Sequence, residues 1–132
     1  MVCLDTTFLA DLIRKSLEAN KKMDSLVKQG DTLSTTVINC AELFYGAYKS
    51  NNVDKEKANM KLVLSRFIVF EMDEVSAERF VEILSKLEKQ GQKIADRDVM
   101  IAAIAMSKGE NRVVTRNKKD FEKIPQLIVE TY

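Results

Sequence analysis

The stretch that decides the fold is Met1-Val2-Cys3-Leu4-Asp5-Thr6-Thr7-Phe8-Leu9, continued by Leu12 and Ile13. A short apolar run ends at an acid, and apolar residues then recur three and four apart. This reads as a buried strand running directly into a helix. The rest of the chain repeats the alternation. Leu17, Met23, Leu26 and Val27 give residues 16–29 a helical spacing, with Gly30 placed as a C-terminal cap. The Thr- and Val-rich run 33–37 predicts a second strand, and the run from Cys40 predicts a helix ending between Gly46 and Tyr48.

Residues 54–64, with lysines at 55, 57 and 61, predict an exposed amphipathic helix, and 67–70 an apolar strand. Asp73 stands where an N-cap belongs, ahead of the stripe Ala77, Phe80, Val81, Leu84 and Leu87, which stops before Gly91. The acids Asp96 and Asp98 precede 99–106, apolar all round and therefore a buried helix, closed by Gly109. Residues 112–115 predict a strand, 117–123 a basic loop or short helix, and 127–129 a last strand after Pro125. The order β-αα-β-αα-β-α-α-β-β predicts an α/β fold: a three-layer α/β/α sandwich whose central, mostly parallel sheet has four to five strands.

The 132 residues have room for one domain, 1–132. A composition of 45% hydrophobic and 31% charged residues, with one Pro and four Gly, is that of a folded chain without linkers. No histidine is present, which excludes Ser-His-Asp and Cys-His nucleophiles, His-liganded zinc and imidazole-pair cleavage of RNA. The chemistry left uses carboxylates, lysine, hydroxyls or a metal. The balance of 21 Lys+Arg against 20 Asp+Glu gives no global field for a polyanion. Cys3 and Cys40 lie in apolar surroundings without metal-pair spacing and read as free thiols. Neither a signal peptide nor a membrane span is apparent, so a cytoplasmic protein is expected.

In an open parallel sheet the ligand crevice lies beyond the carboxyl ends of the strands, where strand order reverses. Asp5 ends the first strand, Glu42 emerges from an apolar segment after the second, Asp96 and Asp98 open the buried helix, and Asp120 follows the penultimate strand. Each acid has a purely structural role open to it, as a helix cap, a partner of the helix dipole or a surface group. Together they point to an acidic centre that a divalent cation would neutralise. Lys108, Arg112, Arg116, Lys118, Lys119 and Lys123 outnumber the acids between 108 and 123, and Arg116, Lys118 and Lys119 are the candidate phosphate contacts.

Four segments resemble the four motifs of PIN-domain ribonucleases in order and spacing. They are Val2-Cys-Leu-Asp5-Thr-Thr-Phe-Leu, Ile38-Asn-Cys-Ala-Glu42-Leu-Phe-Tyr-Gly46, Gly91-Gln-Lys-Ile-Ala-Asp96-Arg-Asp98-Val-Met-Ile-Ala-Ala103 and Val113-Val-Thr115-Arg-Asn117-Lys-Lys-Asp120-Phe121. Within that family the resemblance is nearest to VapC-type toxins. It implies an Mg²⁺- or Mn²⁺-dependent endoribonuclease, a homodimer, and inhibition by a VapB-like antitoxin. Asp5, Glu42 and Asp98 match the family's catalytic acids and metal ligands. The fourth ligand position falls at Asn117 or Asp120, and Thr6, Thr115 and Asp96 are supporting residues. Helix 54–64 and its neighbour 16–29 are candidates for the antitoxin or dimer contact, with Met23, Tyr45, Tyr48 and Met60 lining a groove or belonging to the core.

The alternatives are a PIN-fold RNA-processing nuclease without an antitoxin, or a binding module with a degraded site. A haloacid-dehalogenase-type phosphotransferase needs a second Asp where Thr7 stands, and a phosphoryl receiver domain fits Glu71-Met72-Asp73 poorly.

Overall fold

The computed structural model describes residues 1–132. Its elements are β1 Val2–Leu4, α1 Thr6–Ile13, α2 Leu17–Lys28, β2 Leu33–Thr36, α3 Val37–Tyr48, α4 Val53–Leu64, β3 Ile68–Phe70, α5 Glu74–Lys89, α6 Asp96–Ser107, β4 Arg112–Val114, α7 Lys118–Phe121 and β5 Ile128–Glu130. The five strands form one sheet in the order β3-β2-β1-β4-β5, and every pairing is parallel. No helix is long and apolar enough to cross a membrane.

Alternation along β1 and β4 divides the core in two. Val2, Leu4 and Val114 face one side, with Phe8, Leu9, Leu12, Met23, Leu26, Leu43 and Met60 of α1 to α4. Cys3 and Val113 face the other, with Ile83, Leu87, Val99, Ile101 and Phe121 of α5, α6 and α7. These are the three layers expected of helices covering both faces of a parallel sheet. Met23 and Met60 belong to the core, whereas Tyr45 and Tyr48 stand exposed on α3. Cys3 is buried and Cys40 half-buried, and both thiols are free.

Strand β2 is the least obvious element because Ser34, Thr35 and Thr36 are fully buried polar residues. Two of their hydroxyls are satisfied across the sheet: Ser34 donates to the Val2 carbonyl at 3.2 Å and Thr35 to the Leu4 carbonyl at 2.8 Å. The next helix begins at Val37, three residues before the position that hydrophobic spacing indicates. Thr36 and Asn39 form a reciprocal capping box that spacing alone does not reveal. Helix α6 likewise takes Asp96 and Asp98 into its first turn, with Ala95 as N-cap, so neither acid caps it.

The chain builds outward from β1 to β2 and β3, then returns to the opposite side of β1 for β4 and β5. The strand order therefore reverses between β1 and β4, and the crevice of a doubly wound sheet lies at the carboxyl ends of that pair. Asp5 and Thr115 are the residues that leave those two strands.

Candidate functional site

Asp5 is 3% exposed and lies at the floor of the crevice. It occupies the N-cap position of α1 but makes no side-chain cap hydrogen bond, so its carboxylate is turned to another purpose. Oδ2 accepts from the Thr115 hydroxyl at 2.6 Å and lies 3.2 Å from the Thr7 hydroxyl, while Oδ1 accepts from the Asn39 amide at 3.2 Å. Thr115 is fully buried and itself accepts from the Asn117 backbone N–H at 2.9 Å.

Glu42 stands on α3 one turn beyond Asn39, half-buried. Its Oε1 accepts from the Thr6 hydroxyl at 2.8 Å, and its Oε2 lies 3.7 Å from the exposed Arg97 guanidinium. Asp98, in the first turn of α6, and Asp120, on α7, share the amide of Asn117. Nδ2 of Asn117 donates to Asp98 Oδ2 at 3.0 Å and to Asp120 Oδ2 at 3.2 Å.

These acids sense one another. Burial pushes the Asp98 carboxyl up to about 6, and the charges of Asp5, Glu42 and Asp120 push in the same direction against the opposing pull of Arg97. Four elements distant in sequence thus deliver Asp5, Glu42, Asp98 and Asp120 to one crevice, as the order of acids after strands predicts. Asp96 is not brought in: it lies exposed at the start of α6.

The oxygen-only donor set and the mutual repulsion at Asp98 fit a hard divalent cation. No three acid side chains are drawn close enough to grip an ion unaided, so a cation there would take part of its coordination from water. Asn117 turns its amide nitrogen toward Asp98 and Asp120, so it links these two acids, and ligation through its oxygen would require the amide to flip.

The basic loop differs from its sequence reading. Arg116 is held by Asp11 at 2.6 Å, by Glu18 at 3.1 Å and by the Tyr132 hydroxyl at 3.1 Å, with its guanidinium over the Tyr132 ring. Arg112 reaches back to Asp31 and Glu130, near the opposite end of the sheet. Lys108 pairs with Asp73, Lys118 with Glu122 and Lys123 with Asp120. Of the six cations between 108 and 123, Lys119 alone has no ion-pair partner. The surplus counted in the sequence is largely spent on internal pairs because carboxylates distant in sequence meet it.

Sequence reasoning missed Asn39 and Thr36 as parts of the site's framework, whereas the hydroxyl of Thr7, a position the first motif offers beside Thr6, lies 3.2 Å from Asp5 Oδ2. The signal available was the polar run Thr35-Thr36 with Asn39, unusual in a segment that must be buried.

Beside Glu42, a cleft of about 300 Å³ opens between α1, α3 and α4. Thr6 and Glu42 form its wall toward the acids, while Ile13, Leu43, Ala47 and Met60 line its apolar side.

Residues 2–127 match the family pattern of the PIN domain. The chain is similar to a ribonuclease VapC2 of Haemophilus influenzae, 32% identical over 98% of this chain and 96% of the relative. It is similar also to a tRNA(fMet)-specific endonuclease VapC of Shigella flexneri, 34% identical over 69% of this chain and 68% of the relative. Among solved structures it resembles a chain of VapBC2 from Rickettsia felis bound to a DNA fragment from its promoter. The TM-score is 0.91, with 28% identity over 100% of this chain and 99% of that one.

Proposed function

The chain belongs to the PIN-domain family, within its VapC branch, and on that premise we propose that it is an endoribonuclease, the toxin half of a VapBC-type toxin–antitoxin pair. The observation that carries the chemistry is the convergence of Asp5, Glu42, Asp98 and Asp120 at the carboxyl ends of β1 and β4: Asp5 is buried there without capping its helix, and Asn117 joins Asp98 to Asp120. Arg97 stands beside Glu42 and Lys123 beside Asp120, but neither Asp5 nor Asp98 has an ion-pair partner, and two uncompensated carboxylates in one crevice cost stability unless a cation joins them. Asp5, Glu42, Asp98 and Asp120 would hold Mg²⁺ or Mn²⁺. Such a cation supplies Lewis-acid activation of water and neutralises charge on the attacked phosphate, work that other nucleases assign to imidazoles.

The chain's own residues orient the acids and the substrate. Thr115 and Asn39 fix Asp5 from both carboxylate oxygens. Thr6 fixes Glu42 through Oε1, which leaves Oε2 toward the open side. Lys119, unpaired and next to Asp120, is the loop cation free to meet a phosphate, and Lys118 joins it by exchanging its exposed pair with Glu122.

The test is cleavage of RNA by the purified chain with Mg²⁺ or Mn²⁺, using initiator tRNA first because one relative bears a tRNA(fMet)-specific name. Cleavage that disappears with EDTA and with Asp5→Asn is the expected result, and cleavage unchanged by both would sink the assignment. A VapB-like protein encoded beside it should co-purify and silence the activity. Homodimerisation is read by sedimentation of the free chain.

A further inference from the structure

We infer that Asn39 is the positioning residue that couples Asp5 to Glu42 and fixes which carboxylate oxygens face an incoming ligand, an inference that rests on the nuclease reading above. Asn39 is fully buried and makes four side-chain hydrogen bonds, the full capacity of its two amide hydrogens with two acceptor positions on the oxygen. Its orientation is determined. Oδ1 accepts from the backbone N–H of Thr36 at 3.2 Å, a group that can only donate, and from the Thr36 hydroxyl at 2.7 Å. Nδ2 must therefore face the acids, where it donates to Asp5 Oδ1 at 3.2 Å and to Thr6 Oγ1 at 3.0 Å.

Two consequences follow from that orientation. Because Thr6 Oγ1 accepts from Asn39, its own proton is free to point along the 2.8 Å contact to Glu42 Oε1. The direction of donation is Asn39 to Thr6 to Glu42, and Glu42 Oε2 is left without a hydrogen bond, 3.7 Å from the exposed Arg97 guanidinium that a ligand would displace. Asp5 Oδ2 lies against the Thr115 and Thr7 hydroxyls, and Oδ1 keeps one lone pair beside the Asn39 contact. Asp5 thus offers a single oxygen, aimed by Asn39. The side chain that caps α3 at the end of β2 also sets the carboxylate after β1, so the junctions of two neighbouring strands are locked together by one amide.

Asn39→Asp tests the role. The new carboxylate is isosteric and still accepts from the Thr36 N–H, so the helix cap survives, but the two donors toward Asp5 and Thr6 are lost. Outer residues that hold metal ligands typically change affinity or activity by about 10- to 100-fold. The expected result is a fall of that size in kcat for RNA at saturating Mn²⁺, with KM for RNA little changed and a shifted Mn²⁺ binding isotherm in the absence of RNA. In a cycle with Thr6→Val, the losses should be strongly non-additive, because both variants cut one relay. Asn39→Ala, which removes the amide without placing a new charge 3.2 Å from Asp5, separates loss of the donors from charge repulsion, and it serves as the primary variant should Asn39→Asp fail to fold. If Asn39→Asp and Asn39→Ala bind Mn²⁺ and cleave RNA as the unaltered chain does, the positioning role is wrong. If the unaltered chain neither binds Mn²⁺ nor cleaves, it is the nuclease reading that fails.

Discussion

The carboxyl of Asp98 is held protonated to higher pH in the folded chain than in the unfolded one, because burial and then Asp5, Glu42 and Asp120 raise it from 3.8 to about 6. The folded state therefore binds the proton more tightly. Its contribution to stability is complete below 3.8 and is lost as pH rises through about 6. Asp98→Asn removes the charge and keeps the shape, so in EDTA at pH 7.5 it should melt higher than the unaltered chain, by about 1 kcal/mol after allowance for solvent screening. The same variant should lose cleavage. Thr115→Val has the opposite character: it deletes the 2.6 Å bond to a buried carboxylate without altering volume, at a cost of about 2 kcal/mol in urea denaturation. An unchanged denaturation midpoint would mean that another donor takes its place.

At the scale of elements, the sheet is fastened near its amino end by Arg112 of β4, which reaches Asp31 ahead of β2 at 2.6 Å and Glu130 of β5 at 2.7 Å. The hydrogen bond from Arg112 holds the Asp31 carboxyl below its usual range despite some burial. Glu130 is lowered too, its burial being outweighed by hydrogen bonds from Lys22 and Arg112. Stability from these groups is present above the ordinary values of 3.8 and 4.5 and is lost as pH falls below them. Melting temperature should drop steeply between pH 5 and about pH 3, and Arg112→Met should flatten that limb. The strand and helix order was legible in the sequence because each buried element carries its own apolar period, as with the stripe Ala77, Phe80, Leu84 and Leu87. The four acids of the crevice were legible because each follows a strand or opens a helix. The early start of α3 was not, since it rests on a Thr36–Asn39 capping box that hydrophobic spacing does not register, and the role of Asn39 was not, since its partners Asp5 and Thr6 lie 34 and 33 residues away. Arg116 misled for the same reason: its partners Asp11 and Glu18 lie about a hundred residues earlier.

Over the whole molecule, the net charge of +1 gives no global field, and internal pairing leaves Lys119 as the one cation of the basic loop without an ion pair. If RNA meets the chain through that loop alone, its affinity should depend weakly on salt, with a log–log slope near that of one or two phosphate contacts, about −0.7 per contact for single strands. A slope of −4 or steeper would show that cations beyond the loop, or the opened pairs of Arg116 and Lys118, also meet phosphates. Mn²⁺ at about 100 times its dissociation constant should stabilise the chain by about 2.7 kcal/mol, and Asp5→Asn should remove that shift. Leu17, Val27, Tyr45, Tyr48 and Leu62 are each more than half exposed on α2, α3 and α4, so hydrogen exchange there should slow when an antitoxin binds. The position of β1, between β2 and β4, also governs timing. The strand that leaves the ribosome first carries Asp5, yet its neighbour β4 and the acid Asp120 follow more than a hundred residues later, so the central strand pair and the crevice beyond it close only when synthesis is nearly complete.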